Sequence, residues 1–115
     1  MKRIDKPWGH EILFVHTDRY AGKLLVIEPG RRLSLQFHRQ KDEAFYVQEG
    51  RVRFTTERDG ALHEEELGPG ETRHIPSGTR HRFEAVERCV LFEVSTPELD
   101  DVVREQDDYG RKDGS

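Results

Sequence analysis

The sequence predicts an all-β sandwich or barrel, and three observations carry that prediction. Apolar and polar residues alternate with a period of two, most clearly in Leu33–His38 and in Arg51–Thr56. Turn signals rich in Gly, Pro and Asp recur about every ten residues, too often for long helices. Nowhere does a strand alternate with a long amphipathic helix, so a parallel-sheet enzyme is excluded.

In chain order, Glu11–His16 and Lys23–Glu28 are apolar strands parted by the polar Thr17–Asp18–Arg19, and Pro29–Gly30 closes the second. Leu33–His38 sets Leu33, Leu35 and Phe37 on one face and Ser34, Gln36 and His38 on the other. Ala44–Gln48 and Arg51–Thr56 flank Glu49–Gly50, and Asp59–Gly60 is a hairpin signal. His63–Leu67 is polar enough for an edge strand. Thr72–Ile75 lies between Gly68–Pro69–Gly70 and Pro76–Ser77–Gly78, and Arg80–Val86 and Cys89–Ser95 close the series around Glu87–Arg88. Pro97 followed by Glu98, Leu99, Val102 and Val103 predicts a short C-terminal helix, with proline and acids at its positive end. The expected layout is one domain: an N-terminal arm over 1–22, a barrel over 23–96, and a helix and tail over 97–115 that frays at Lys112–Ser115.

Composition bounds the function. A chain of 115 residues, 33% hydrophobic and 37% charged, supports one modest core and no separate cofactor domain. The 19 Lys and Arg against 23 Asp and Glu argue against general nucleic-acid binding. The single Cys89 forms no internal disulfide and fits a reducing compartment. With no membrane-spanning stretch and no signal-peptide start, the expectation is a small, soluble, cytoplasmic domain.

Gln36, His38 and Glu43 are the first chemical cluster. Residues 36 and 38 share a strand face, and the following turn can return Glu43 beside them. An amide oxygen, an imidazole nitrogen and a carboxylate oxygen suit a borderline or hard divalent metal. His81, just after the Pro76–Ser77–Gly78 turn, can add a fourth ligand from a facing strand.

These residues carry a resemblance. Gly30, Gln36, His38, Glu43 and Gly50 are spaced as in the first signature of the cupins, with Gln in place of the first histidine. Gly70, Pro76, Gly78 and His81 resemble the second signature, with Ala85 where Asn is usual. A narrower similarity, to the cupin domain of type II mannose-6-phosphate isomerases, covers nearly the whole chain. It rests on Pro7-Trp8-Gly9, on Gly30–Gln36 with His38, on Ile75-Pro76 with His81-Arg82, and on Asp100–Arg104 and Asp108–Arg111. Gln in the first ligand position is itself the form seen in that group, so Gln36 supports the narrower similarity.

The resemblance implies a double-stranded β-helix, or jelly roll, in which Gln36, His38, Glu43 and His81 hold a divalent ion such as Zn²⁺, Mn²⁺, Co²⁺, Ni²⁺ or Fe²⁺. It also implies interconversion of mannose 6-phosphate and fructose 6-phosphate through a metal-stabilised cis-enediolate. The group's catalytic Arg is replaced by Lys41, which keeps the charge but not the planar fork, and Phe45 replaces a Trp. Lys41 is the first candidate catalytic residue and His74 the second; Arg39 and Lys41 are the phosphate candidates. The similarity reaches only the cupin part of these proteins and implies no nucleotide transfer. Competing readings are a cupin dioxygenase or lyase acting on another small metabolite, and a non-catalytic sugar-binding cupin, since one fold hosts many chemistries.

The apolar residues Leu24, Val26, Phe45, Val47, Val52, Phe54, Phe83, Val90, Phe92 and Val94 are expected to fill the barrel, and Cys89 to be a core or interface residue. Leu33, Leu35 and Phe37, opposite the ligand face, would form an outer row through which a homodimer pairs, with Trp8 and Ile12–Val15 as further contacts. Arg80 and Arg82 should point away from His81 and serve as surface ion-pair partners.

Overall fold

Strand β10, Cys89–Ser95, runs between β3 (Ala21–Ile27) and β5 (Glu43–Glu49) and ties the two ends of the chain into one sheet. The structure is a computed structural model describing residues 1–114. The other strands are β1 (Lys2–Lys6), β2 (Gly9–His16), β4 (Leu35–Phe37), β6 (Val52–Arg58), β7 (Ala61–Leu67), β8 (Thr72–Ile75), β9 (His81–Ala85) and β11 (Val103–Gln106). They form two antiparallel sheets, ordered β1-β2-β3-β10-β5-β8 and β11-β4-β9-β6-β7. Two packed antiparallel sheets in this order are the expected jelly-roll arrangement. Among the described residues no helix is long and apolar enough to cross a membrane.

Local chemistry explains most elements. The β6–β7 hairpin pairs Arg58 with Ala61 across Asp59 and Gly60, whose φ angles of 53° and 79° are the positive pair a two-residue hairpin turn needs. Polar β7 is indeed an edge strand. The closed end of the barrel is an aromatic cluster: Phe45 meets Phe54 and Phe83 edge-on at 5.0 and 4.9 Å, and Phe54 stacks on Phe83 at 5.5 Å.

The predicted C-terminal helix is absent. Residues 97–101 make turns, with Leu99 N–H donating to the Pro97 carbonyl at 2.8 Å, and the chain then extends as β11 beside β4. Valines at 102 and 103 suit a sheet, and the edge of β4 offers the pairings Val103–Phe37 and Arg104–Gln36. Residues 112–114, expected to fray, are tied back: Arg104 N–H donates to Asp113 at 2.8 Å and Gly114 N–H to the Val102 carbonyl at 3.1 Å. Ser115 lies outside the described residues.

The faces of two strands also differ from expectation. On β10 the inward residues are Cys89, Leu91 and Glu93, while Phe92 and Val94 are 37% and 56% exposed. Leu24 lies opposite Phe92 and shares its outer face. A period of two says which residues share a face, not which face is inside. The interior keeps the polar row because it holds the site. The Leu33, Leu35, Phe37 row is covered within the chain. Leu33 belongs to the core beside Trp8, Leu35 is buried, and half-buried Phe37 lies under the Arg39 guanidinium at 5.8 Å. Trp8, expected at a dimer contact, is also core.

Gly50 turns β5 into β6 with φ 79°, and a Cβ there would stand 2.1 Å from the Arg88 carbonyl oxygen. Gly50→Ala is therefore expected to cost about 2 kcal/mol or more, from the left-handed backbone and the clash together. Urea denaturation checks this, and an unchanged midpoint would contradict the geometry.

Candidate metal centre

Three strands bring the cluster together. Gln36 on β4 is paired in register with His81 on β9, so both side chains rise from the same face. His38 follows β4 directly, and Glu43 opens β5 after a four-residue loop. That loop is tightly held. The Asp101 carboxylate accepts the backbone N–H groups of Arg39, Gln40 and Lys41 at 3.1, 2.7 and 2.9 Å, and the His38 carbonyl accepts Gly78 N–H at 2.6 Å. Burial opposes the Asp101 charge, but the Lys41, Gln40 and Arg39 N–H groups outweigh it and hold its carboxyl below the usual range.

His38, Glu43 and His81 are buried, and their donor atoms lie within 4.8 Å of one another. Glu43 Oε1 is 3.0 Å from His38 Nε2 and 3.1 Å from His81 Nε2. The Nδ1 atoms face backbone carbonyls, of Asp101 at 2.5 Å and of Thr79 at 2.9 Å, and must donate to them. Neutral rings in that tautomer leave both Nε2 lone pairs aimed at a carboxylate. His81 Nε2 is accordingly a buried atom with no hydrogen-bond partner. Either a proton on Nε2 or a cation between the three acceptors reconciles them. The imidazole–carbonyl bonds are those that orient metal-binding histidines. The donor set thus fits a divalent ion. Gln36 is half-buried, and its Oε1 accepts the Ser34 hydroxyl at 2.6 Å.

A second buried carboxyl sits against this one and was not foreseen. Burial opposes the Glu43 charge, yet hydrogen bonding with Glu93, His38 and His81 and the Lys41 ammonium hold its carboxyl well below the usual range. Burial, and then the charge of Glu43, push Glu93 up to about 8. The two carboxyls thus oppose each other's charge, and Glu93 is the one pushed toward its protonated form. Lys41 Nζ lies 3.3 Å from Glu43 Oε2. Burial works against its ammonium, but Glu93 and Glu43 outweigh that and hold its pKa above the ordinary lysine value.

Gln36, His38 and Lys41 reach the wall of a cavity of about 290 Å³, also lined by Trp8, Glu11 and Lys23. Glu11 is buried at 8% exposure, 3.4 Å from Lys23, and its place on the inner row of β2 was the missed signal. Two other expected residues are not brought to this cavity. His74 lies on the opposite face of β8, exposed, with its Nε2 2.7 Å from Asp42. Arg39 is exposed over Phe37. Arg80 pairs with Glu57 at 2.8 Å as expected, whereas Arg82 is buried and donates to the Leu33 and Gln106 carbonyls at 2.9 and 3.0 Å, fastening β9 to its neighbours.

Fold and site together define a jelly-roll barrel with a His–Glu–His cluster of metal-ligand type at its centre. The chain belongs to the cupin domain family, which it matches over residues 23–95. It is 36% identical over 115 residues to a mannose-1-phosphate guanylyltransferase of Escherichia coli (strain K12), covering 96% of this chain and 23% of that protein. It is 30% identical to the xanthan biosynthesis protein XanB of Xanthomonas campestris pv. campestris (strain ATCC 33913), covering 96% and 24%. The chain thus spans about a quarter of the length of these relatives. Among solved structures it is similar in fold to KdgF from Halomonas sp. (TM-score 0.73, 23% identity, 88% of this chain and 92% of that one). It is also similar to oxalate decarboxylase from Bacillus subtilis (TM-score 0.75, 21% identity, 90% and 29%).

His38→Ala and His81→Ala are each expected to abolish equimolar metal retention after desalting, measured by elemental analysis. Asp101→Ala should weaken metal affinity roughly tenfold to a hundredfold by releasing the loop that carries His38 and Lys41. Equimolar metal in both histidine variants would contradict the assignment.

Proposed function

We propose that this chain is a divalent-metal-dependent aldose–ketose isomerase of an open-chain sugar phosphate, with mannose 6-phosphate and fructose 6-phosphate as the pair to test first. The observation that carries the reading is one cavity whose wall combines Gln36 and His38 of the metal-ligand cluster, the buried Lys41, the buried carboxylate of Glu11 and an excess of cations. Relatives named as mannose-1-phosphate guanylyltransferases support a sugar phosphate as the substrate class.

Aldose–ketose conversion takes a proton from C2 and returns one to C1, while negative charge spreads over O1 and O2. A divalent ion held by Gln36, His38, Glu43 and His81 supplies, when bound, positive charge for those oxygens. Lys41, kept charged by Glu93 and Glu43, gives a substrate oxygen a hydrogen bond and a positive charge instead of acting as a base. Glu11 is the buried carboxylate on the cavity wall, and it carries the proton between the carbons. His74 lies outside the cavity and has no part in this chemistry.

A coupled assay of mannose 6-phosphate conversion tests the reading, with metal-stripped protein reloaded separately with Mn²⁺, Co²⁺, Zn²⁺ and Fe²⁺. Lys41→Ala should lower kcat by about a hundredfold or more while leaving bound metal unchanged. Glu11→Gln should lower kcat with little change in KM. No turnover in any fully metallated sample would reject this substrate and turn attention to a dioxygenase, a lyase or a sugar-binding cupin.

The reading includes a homodimer, formed through the outer face of the larger sheet. Phe14, Tyr46, Phe92 and Val94 are 43%, 42%, 37% and 56% exposed, and the Phe14 and Phe92 rings meet edge-on at 6.4 Å. A second copy applied to this face would cover them. Sedimentation velocity should give a dimer that Phe92→Lys converts to monomer; a wild-type monomer would remove this part of the proposal.

A further inference from the structure

The positive charge of this chain is distributed unevenly between its outer surface and its cavity. On the outer faces arginines are matched across strands: Arg53 with Glu84 at 3.2 Å, Arg73 with Glu65 at 2.7 Å and Arg80 with Glu57 at 2.8 Å. The cavity wall carries Lys2, Lys6, Lys23, Lys41, Arg104 and Arg111 with two carboxylates, Glu11 and Asp100, while behind the wall Glu43 pairs with Lys41 and Asp107 with Arg111. Glu11 is engaged by Lys23. Lys6 is half-buried on β1 and has no ion pair among the described residues. Burial lowers its pKa; Glu11 opposes this, and Lys23, Arg111 and Arg104 lower it further. Such a group of like charges on a concave wall is relieved by an anion that enters it.

The lining residues come from different elements. Gln36, His38 and Lys41 belong to or adjoin the metal-ligand cluster, while Lys6 comes from the first strand and Arg111 from the C-terminal segment, with Arg104 next to Gln36 across the β4–β11 pairing. The two guanidinium groups are held in place by the chain itself, Arg111 by both carboxylate oxygens of Asp107 at 2.9 and 3.1 Å and Arg104 by the Lys112 carbonyl. We infer that Lys6, with Arg104 and Arg111, forms a subsite for the phosphate monoester of the substrate, leaving the reacting carbons beside His38 and Lys41. The assignment rests on the sugar-phosphate reading above and replaces Arg39, which does not line the cavity. A volume of about 290 Å³ is at the small end of ordinary ligand sites and suits one acyclic sugar phosphate.

The test is calorimetric binding of glucitol 6-phosphate, glucitol and gluconate to the purified protein; none of them is an aldose or ketose. The wild type should prefer glucitol 6-phosphate over glucitol by about tenfold or more. Lys6→Met should lose most of that preference while binding glucitol as before, and Lys6→Arg should keep it. Lys6→Gln serves as the second variant if Lys6→Met does not fold. No preference in the wild type, an undiminished preference in the neutral variants, or gluconate binding as tightly with the same dependence on Lys6 would overturn the subsite. Since no turnover is read, a protein that shows the Lys6-dependent preference but no isomerase activity would lose the reaction and keep the subsite.

Discussion

The Glu43 carboxylate, buried between the Nε2 atoms of two imidazoles whose Nδ1–H groups are committed to backbone carbonyls, is the constraint on which the rest of the interior depends. A carboxylate oxygen 3.0 and 3.1 Å from two imidazole nitrogens is repelled by their lone pairs unless a proton or a cation sits among them. The surroundings are arranged to maintain that demand. The carbonyls of Asp101 and Thr79 fix the tautomers. Burial and the neighbouring Glu43 charge push the Glu93 carboxyl up, toward its protonated form. Lys41 balances the remaining charge from the cavity side. Each of these groups would be costly to bury alone, and together they form a satisfied network once a cation completes it.

The same demand explains a sheet with its apolar residues partly on the outside. Strand β10 turns Glu93 inward and therefore Phe92 and Val94 outward. Lys23 on β3 and Glu11 on β2 follow the same rule, which adds a further ion pair to the inner surface. The hydrophobic core is displaced to the closed end, around Phe45, Phe54 and Phe83, where the edge of Phe83 meets the His81 ring at 6.1 Å. Core and site are thus stacked along one axis, and the aromatic floor limits how far the histidine can move.

Much of this was legible in the residues because it depends on short-range chemistry. Asp59–Gly60 dictates its own turn, and the alternation of Gln36 with His38 puts two ligand-type groups on one face. The spacing of glycines and prolines around His81 marks where its strand begins. What was not legible depends on partners distant in sequence. The acids after Pro97 have local helix-starting character, yet the exposed edge of β4 recruits Val103 and the residues after it into a strand. Asp101 reads as one more tail acid until three N–H groups from residues 39–41 converge on it. The inward face of β10 was misjudged because its polar member serves the site, and hydrophobicity alone favours the wrong side. His74 follows the parity of β8, which no local signal reveals.

The position of β10 has a consequence for how the chain reaches this structure. Its pairing joins residues 89–95 to residues 21–27 on one side and to residues 43–49 on the other, so the larger sheet lacks its middle strand until late in the chain. Contacts of such long sequence separation close slowly, on the millisecond-to-second scale typical of β-sandwiches. On a ribosome the ligand-bearing strands β4 and β5 would emerge well before the strands that order them. Nascent chains would therefore carry His38 and Glu43 in an open, unassembled state until the last third had been made, and an early-binding ion would find only part of its coordination shell.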